Sequence, residues 1–406
     1  MTARRRGSLL ALLALLASLL IGANGTVTAA AESLPLPQDD PFYQPPSGFE
    51  SAAPGTILRQ REVNASTYLI PVPAKVYQVL VRTTDAKDRP VATVSTVFVP
   101  PLPPNGQRPL LSFQIATDSL GSQCNPSYGL RAGLEKEVTG VWTALSNGWV
   151  SVITDYQGPR MAWSAGKMAG HAVLDGIRAA HNLPEAGLEG SGPVGAWGYS
   201  GGGQATAWAA QLQASYAPEL NVKGWAAGAF AGDLKKTLKG LDGGAFSGFT
   251  LAGAVGVSRE YPELSSLFND KGRQLAEQIG QRCQLELVAM NPFKKINDYT
   301  NQDVFTDPVA GRVFAENKLG GAAPTAPVLV QQSILDEIIR PEYNQETASA
   351  WCAKGADVEY RLTAVPGHVG YAIGSIPGAL TWLYNRFLDL PTNGNCATQS
   401  SVATQE

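Results

Sequence analysis

The stretch Val194-Gly-Ala-Trp-Gly-Tyr-Ser-Gly-Gly-Gly203 decides the fold that the sequence predicts. Its first four residues are typical of a short buried strand, and Gly198-Tyr-Ser-Gly-Gly202 matches the pattern G-x-S-x-G. An alanine-rich helix is predicted over 204–216. A strand, a sharp turn and a helix in this order hold a serine at the tip of the turn, where glycines avoid clashes with both elements. We therefore predict that Ser200 is a nucleophile rather than a solvent-facing serine in a glycine-rich turn.

Strands and helices alternate on both sides of this turn. The alternation predicts an α/β fold with a mostly parallel sheet whose two faces are covered by helices. The other predicted strands of the series are 110–115, 150–154, 222–230, 328–331 and 358–362, and the other predicted core helices are 134–147, 166–181, 343–354 and 379–388.

An antiparallel hairpin is predicted ahead of this series. Residues 75–83 and 91–99 alternate apolar and polar side chains on either side of the turn sequence Asp85-Ala-Lys-Asp-Arg-Pro90. Residues 32 to about 70 are rich in proline and polar residues, so we expect an extended arm that lies on the body of the protein.

The alternation breaks between Ala231 and Leu319. This stretch has helical segments, including 234–241 and 265–281, and glycine-rich joints, but no clear strand. It predicts a mainly helical cap, 231–319, inserted between a first part of the core, 32–230, and a second part, 320–406. An additional helical layer remote from any functional site is the alternative.

The first 31 residues are predicted to be an export signal. Three arginines, Arg4 to Arg6, precede an apolar run from Leu9 to Ile21 that is too short to span a bilayer. Small residues up to Ala31 suit a signal peptidase, so we expect cleavage near Ala31; an uncleaved anchor is the alternative. No later stretch is long and apolar enough to cross a membrane, so a secreted, soluble chain is expected.

Composition limits the classes of function. Hydrophobic residues make up 44% and charged residues 16% of the chain, which indicates a globular protein and not a disordered one. The net charge is −3 and no block of like charges occurs, so nucleic acid is not an expected partner. The chain has 3 histidines, which argues against a histidine-rich zinc site. We predict no metal and no cofactor.

Four cysteines follow the predicted signal: Cys124, Cys283, Cys352 and Cys396. An even number in an oxidising compartment predicts two disulfides. Four cysteines allow three connectivities, and their spacing does not choose among these. No CxxC pair occurs, so redox or zinc chemistry is not expected.

A serine nucleophile needs a general base, because its hydroxyl is weakly nucleophilic at neutral pH. In this topology the serine, the acid and the histidine follow one another along the chain. His171 and His181 precede Ser200, and we expect both to be structural. His368 follows Ser200 and lies in a glycine-flanked loop directly after a predicted strand. That location suits catalysis, so His368 is the predicted base.

The acid is expected after another strand, between the serine and the histidine. Asp336 lies five residues past the predicted strand 328–331 and just before a proline-broken loop. Glu337 is adjacent and is the close competitor, whereas Asp307 lies in the predicted cap and Asp357 opens the last strand. We predict that Asp336 orients the imidazole and stabilises its protonated form.

A hydrolytic serine also needs two backbone N–H groups for the oxyanion. One is expected from Gly201, the residue after the serine. The other is expected from the loop 116–124, which lacks a His-Gly-Gly-Gly run, so no motif identifies that donor.

Four features together resemble the secretory lipase family, the lipase-A type found in yeasts and bacteria. They are Ala116-Thr-Asp-Ser119 with a following cysteine, Gly198-Tyr-Ser-Gly-Gly202, Leu335-Asp-Glu-Ile-Ile-Arg-Pro341 and Gly367-His368. The similarity covers most of the mature chain and implies an α/β-hydrolase core with a mainly helical cap. Where the family often has Asp-x-x-Val-Pro after the acid, this chain has Ile339-Arg-Pro341, which implies an altered loop beside the acid.

Carried over to this sequence, the resemblance implies the triad Ser200, Asp336 and His368. It also implies an oxyanion hole formed by Asp118 and Gly201. It further implies the disulfides Cys124–Cys283 and Cys352–Cys396.

The expected function is hydrolysis of fatty-acid esters by a secreted serine hydrolase, in particular a triacylglycerol lipase. A short-chain carboxylesterase, an exported acyltransferase, a serine peptidase and a non-catalytic binding homologue are the alternatives, and the complete Ser-Asp-His set argues against the last. The expected partners are a lipid or ester substrate and a lipid–water interface. In the predicted cap, residues 245–254 are apolar with few charges, so we expect Phe246 and Phe249 to contact the acyl chain.

Overall fold

The computed structural model describes residues 34–68, 70–103, 106–190 and 192–396. The predicted export signal and its cleavage site lie outside these residues. From Leu36 onward the described residues form one compact unit.

A nine-stranded sheet runs through the described residues, in the order β1-β2-β3-β5-β4-β6-β7-β8-β9. The six strands from β5 to β9 in this order pair in parallel, and β1, β2 and β3 form an antiparallel edge that joins β5. The strands are β1 Ile57–Val63, β2 Lys75–Thr84, β3 Pro90–Val99, β4 Leu110–Gln114, β5 Val150–Thr154, β6 Val194–Tyr199, β7 Val222–Gly228, β8 Val328–Ser333 and β9 Val358–Thr363.

Helices cover both faces of this sheet. Side chains of α3, α4 and α10 join the core on one face, and those of α1, α2 and α11 join the core on the other. Because both faces are covered, β5 and β6 are buried along their whole length. The helices are α1 Pro126–Ala132, α2 Thr139–Ser146, α3 Gly166–Asn182, α4 Gly201–Tyr216, α5 Leu234–Leu241, α6 Ser247–Ser258, α7 Asp270–Ile279, α8 Gln284–Met290, α9 Pro308–Glu316, α10 Pro341–Cys352 and α11 His368–Phe387.

The segment between β7 and β8 contains the helices α5 to α9. It adds no strand to the sheet within the described residues. An isolated antiparallel bridge joins Asp233 to Lys318 near the two ends of this segment, and an ion pair of 3.1 Å between Lys318 Nζ and Asp233 Oδ2 reinforces it. The two ends of the segment, where it leaves and re-enters the core, therefore lie side by side.

The predicted arm differs from the structure in its second half. Ile57–Val63 forms β1 and pairs antiparallel with β2 at the sheet edge. The first half has no strand within the described residues and contains the single turns Pro41–Tyr43 and Phe49–Ser51. Phe42 is buried there against Leu80 and Val94 of the sheet. Apolar residues spaced along a proline-rich stretch therefore attach the arm to the sheet.

Two predicted helices begin elsewhere in the structure. The helix predicted over 134–147 begins at Thr139, and the helix predicted over 265–281 is a 3-10 turn, Pro262–Leu267, followed by α7. Asn269 separates these two, because its side chain caps α7 by accepting a hydrogen bond from the N–H of Gly272.

The last helix is longer than predicted. The sequence predicts it over 379–388, but α11 begins at His368 and contains Pro377. Glycines at 370, 374 and 378 weaken the helical pattern in the sequence. Packing of Leu380 and Leu383 against the sheet stabilises the helix in spite of these residues.

Candidate active site

Ser200 lies at the tip of the turn between β6 and α4. Its backbone has φ 56° and ψ −123°, a conformation that side-chain-bearing residues rarely adopt. A Cβ atom at Gly202 would collide with the carbonyl of Gln114, and one at Gly203 would collide with the carbonyl of Gly228. The glycines are therefore required because the turn packs directly on the ends of two neighbouring strands.

A continuous hydrogen-bonded chain joins the three predicted triad residues. His368 Nε2 lies 2.8 Å from Ser200 Oγ, and His368 Nδ1 lies 2.8 Å from Asp336 Oδ2. The side chains of Asp336 and His368 are both buried. This arrangement can take a proton from the serine hydroxyl and stabilise the imidazolium that forms.

The turn after β8 fixes the carboxylate of Asp336. Its Oδ1 accepts hydrogen bonds from the N–H groups of Ile338 and Ile339, at 2.9 Å and 2.8 Å. Its Oδ2 accepts one from Gln332 Nε2 at 3.1 Å, in addition to the contact with His368. These donors fix the carboxylate in the orientation in which Oδ2 contacts the imidazole.

Glu337, the competing acid, has a different contact. Its Oε2 accepts a hydrogen bond of 2.9 Å from the backbone N–H of His368, the first residue of α11. Glu337 therefore positions the start of the helix that carries the imidazole, and Asp336 contacts the ring itself.

The other histidines and acids that the sequence analysis considered lie elsewhere. His171 Nδ1 lies 3.2 Å from the carbonyl of Thr84, and burial lowers the pKa of His171. His181 Nδ1 lies 3.0 Å from the carbonyl of Glu189. Asp307 caps α9 by accepting hydrogen bonds from two backbone N–H groups, and Asp357 accepts one from the Thr392 hydroxyl.

Asp118 lies beside the serine turn, in the loop after β4. The residue is buried, and its backbone has a positive φ of 38°. Gln284 Nε2 donates to its Oδ2 at 3.1 Å. Burial raises the pKa of the Asp118 carboxyl to about 6, against the lowering effects of His368 and of hydrogen bonds from Gln284, Trp163 and the Gly201 N–H. A Cβ atom at Gly201 would collide with this carboxylate.

Disulfides join Cys124 to Cys283 and Cys352 to Cys396. This is the pairing that the family resemblance implies. The first bridge ties the loop that carries Asp118 to the residue that precedes α8. The second ties the end of α10 to the chain beyond α11. None of the described cysteines is free.

A small pocket of about 50 Å³ lies over Ser200. Leu234 and Leu238 of α5 and Phe249 of α6 line one side of it, and Ile338 and Ile339 line another. Side chains of α5 and α6 therefore share this pocket with Ser200.

The two phenylalanines of this segment differ in their relation to the pocket. Phe249 lines it and contacts Trp163 edge-to-face with 5.6 Å between ring centroids. Phe246 stacks on Phe249 at 6.5 Å and packs against Ile338 and Ile339, but it is not among the residues that line the pocket.

Several residues of the site were not identified from the sequence. They are Gln332, Glu337 in its contact with the His368 backbone, Gln284 and Trp163. Gln284 and Glu337 are distant in sequence from the residues that they contact, whereas Gln332 is four residues from Asp336 but belongs to no motif. A glutamate directly after the predicted acid was the only available signal, and it suggested a competing acid rather than a support for the histidine.

No group of three or more histidine, cysteine, aspartate or glutamate side chains in the described part of the chain is arranged to hold a metal ion. Within that part, no helix combines the length and the apolar character that crossing a membrane requires.

Comparison with solved structures identifies the fold. The chain matches the X-ray structure of Candida antarctica lipase A with a TM-score of 0.83 and 30% identity, over 89% of each chain. The fold is therefore that of an α/β-hydrolase. An esterase from Xanthomonas oryzae matches with a TM-score of 0.63 at 16% identity and supports the fold alone.

Sequence comparisons agree with this match. A probable inactive lipase of Mycobacterium tuberculosis is 39% identical over 88% of this chain and 83% of its own length. A secreted triacylglycerol lipase of Malassezia globosa is 35% identical over 93% of this chain and 87% of its own length. The family described as secretory lipase matches residues 129–395. The chain belongs to the secretory lipase family.

Proposed function

We propose that this protein is a secreted triacylglycerol lipase that acts through an acyl-enzyme on Ser200. The observation that carries the proposal is the chain of contacts from the buried Asp336 and His368 to the half-buried Ser200. Lipases among its relatives and the predicted export signal agree with this assignment.

In the proposed mechanism, Ser200 Oγ attacks the ester carbonyl while His368 Nε2 takes the hydroxyl proton. Asp336 stabilises the imidazolium, and backbone N–H groups of Gly201 and Asp118 hold the tetrahedral oxyanion. His368 then protonates the leaving alcohol, and an acyl-enzyme remains. Water that has lost a proton to His368 attacks the acyl-enzyme and releases the fatty acid.

We further propose that residues 231–319 form a cap that binds the acyl chain. Leu238 lines both the pocket over Ser200 and an apolar chamber of about 40 Å³ inside the segment. Phenylalanines 268, 305 and 314 are among the residues around that chamber. An acyl chain that displaces the Leu238 side chain would extend from the serine into this chamber.

Exposed apolar side chains beside the triad support contact with a lipid–water interface. These side chains follow β8, follow β9 or lie at the start of α11, and all are close in sequence to Asp336 or His368. Apolar side chains grouped beside a reaction centre are typical of surfaces that bind lipid or another apolar partner. They are Ile334, Leu335, Val365, Val369 and Ile373, of which Ile373 is the most exposed at 69%.

A short-chain carboxylesterase is the second candidate. The volume of the pocket over Ser200, about 50 Å³, favours it, because a long acyl chain requires the side chains around this pocket to move.

The experiment that separates these functions is a profile of hydrolysis rate against acyl length, from soluble nitrophenyl esters to emulsified long-chain triacylglycerol. The proposal requires hydrolysis of the long-chain emulsion and loss of all activity in Ser200→Ala. Activity confined to short esters would indicate the carboxylesterase. Preferential transfer of the acyl group to an added alcohol would indicate an acyltransferase, and a wild-type protein without activity would indicate a binding homologue.

A further inference from the structure

A cleft of about 1020 Å³ lies between the N-terminal arm and the sheet edge. The arm, the strands β2 and β3, the loop after Asp118 and the loop after β5 form its walls. Its volume is at the upper end of the range of about 300–1000 Å³ that is typical of small-molecule sites. It has no lining residue in common with the pocket over Ser200.

Much of the wall is apolar. Pro90 and Val91 line it from the sheet, and Leu36, Tyr43 and Phe49 line it from the arm. These side chains would remove an aliphatic chain from water, which favours binding of an apolar ligand.

Arg259 is the distinctive polar residue of this cleft. It is half-buried, and its Nη1 donates to the carbonyl of Leu120 at 2.7 Å and its Nη2 to the carbonyl of Gly280 at 2.7 Å. All of its acceptors are neutral backbone carbonyls, and no ion pair to Arg259 occurs within the described residues. Burial lowers the pKa of Arg259, which is the effect of an environment that disfavours its charge.

The other charged groups of the cleft have partners within the protein. Arg160 forms ion pairs with Asp85 and Glu260. The carboxylate of Asp155 accepts hydrogen bonds from both the N–H and the hydroxyl of Ser127. Arg259 is therefore the charge in this cleft that a bound anion would neutralise.

Asn125 provides a second polar group without a partner. It is 6% exposed, and its Oδ1 is buried without a hydrogen-bond partner among the described residues. Buried amide oxygens are normally paired with a donor from the protein, a ligand or water. Water in the cleft would supply the missing donor, since a carboxylate only accepts hydrogen bonds.

We propose that this cleft is a second binding site, separate from Ser200, for a medium- or long-chain fatty-acid carboxylate whose head group pairs with Arg259. The source of such a ligand rests on the proposed function, because a fatty acid is the product of that reaction. The ligand would lie on the loop 116–124, which also carries Asp118, so it would contact the outer side of the segment that forms the oxyanion site.

The test uses Ser200→Ala, titrated calorimetrically with sodium decanoate and separately with 1-decanol. We expect one decanoate per chain and at least about tenfold weaker binding of the alcohol, since a charged hydrogen-bonded pair contributes more than a neutral one. In the same background, Arg259→Gln is expected to weaken decanoate binding by about tenfold and to leave 1-decanol binding unchanged.

A matched pair of substitutions locates the bound acid. Ser122 lines the arm cleft and Ser164 lines the pocket over residue 200, and both are half-buried. Ser122→Trp is expected to abolish decanoate binding and Ser164→Trp to leave it intact. The reverse result would place the acid in the pocket over residue 200 and overturn the proposal. Absence of binding, or equal affinity for the acid and the alcohol, would overturn it as well.

These outcomes do not depend on catalysis. Wild-type protein that fails to hydrolyse esters while Ser200→Ala still binds decanoate would overturn the proposed function and leave the second site standing. If Arg259→Gln does not fold, the comparison of acid with alcohol and the two tryptophan variants decide the question.

Discussion

The carboxylate of Asp118 lies so close to Gly201 that a Cβ atom at position 201 would collide with its Oδ1. The two residues expected to hold the oxyanion are therefore in contact with each other before substrate binds. A substrate oxygen that approached the Gly201 N–H would therefore meet this carboxylate. Because burial raises the pKa of Asp118 to about 6, its neutral form is present near that pH and does not repel a developing oxyanion.

Substitution of the triad should remove nearly all ester hydrolysis. Ser200→Ala removes the nucleophile, and the expected loss in kcat is on the order of 10⁶, with a nearly equal loss in His368→Ala. Asp336→Asn should cost about 10⁴, because the amide does not stabilise the required imidazole tautomer. The measurement is kcat on a soluble nitrophenyl ester with folding checked by circular dichroism. A folded His171→Ala or His181→Ala that lost activity while His368→Ala kept it would refute the assignment.

Glu337 should affect the histidine through the backbone. Glu337→Ala removes the acceptor of the His368 N–H, and we expect kcat to fall about tenfold with little change in KM, since the imidazole is less well positioned. Glu337→Gln retains an acceptor oxygen and should recover most of the activity. Equal losses in the two variants would mean that the charge of Glu337 matters more than the hydrogen bond.

Phe249 and Phe246 provide a matched test of the acyl path. Phe249 lines the pocket over Ser200 and Phe246 lies behind it. Phe249→Lys should depress hydrolysis of long-chain esters more than that of acetate esters, because a charged side chain would lie against the acyl chain. Phe246→Lys should change this ratio less. A proportional fall of both activities in folded Phe249→Lys would remove this residue from the acyl path.

Two buried aspartates should make stability depend on pH. Burial raises the pKa of Asp118 from 3.8 to about 6 and that of Asp155 from 3.8 to about 7. Between about pH 4 and about pH 7, the two carboxyl groups bind more protons in the folded protein than in the unfolded chain. The free energy of unfolding should therefore fall as pH rises from about 4 to about 7.

Asp155→Asn should remove most of this decline in the free energy of unfolding. The part removed should amount to a few kcal/mol at most, as measured by urea denaturation at several pH values. Asp85→Asn is the control, since hydrogen bonds and ion pairs lower the pKa of Asp85 in spite of its burial. Stability linked to Asp85 is present at neutral pH and is lost toward acid pH. An Asp155→Asn protein with an unchanged pH profile would show that this residue is not the source.

The disulfide Cys352–Cys396 should contribute to stability but not to the chemistry. It closes a loop with a sequence separation of 44, for which the chain-entropy model gives roughly 4 kcal/mol. Replacing both cysteines by serine should lower Tm and leave kcat near the wild-type value at 25 °C. A large loss of activity in the folded double variant would place the C-terminal tail in contact with the site.

The candidate site could be read from the sequence where local backbone geometry requires particular residues. The glycines around Ser200 satisfy a steric requirement, and Asp336 and His368 each follow a recognisable strand. Gln284 could not be predicted, because it reaches Asp118 only after a segment 166 residues away has folded over the loop. The start of α11 was missed for a related reason, since packing on the sheet outweighs the weak helical pattern around Pro377.

The bridge between Cys124 and Cys283 has a consequence for the integrity of the protein. Ser200 lies inside the covalent ring that this bridge closes, whereas Asp336 and His368 lie outside it. A protease that cuts once at the Gly243–Gly244 joint would separate a fragment with the nucleophile from a fragment with its acid and base. The bridge would keep the two fragments attached, so a nicked molecule would retain all three groups in one covalent assembly until a reductant released them.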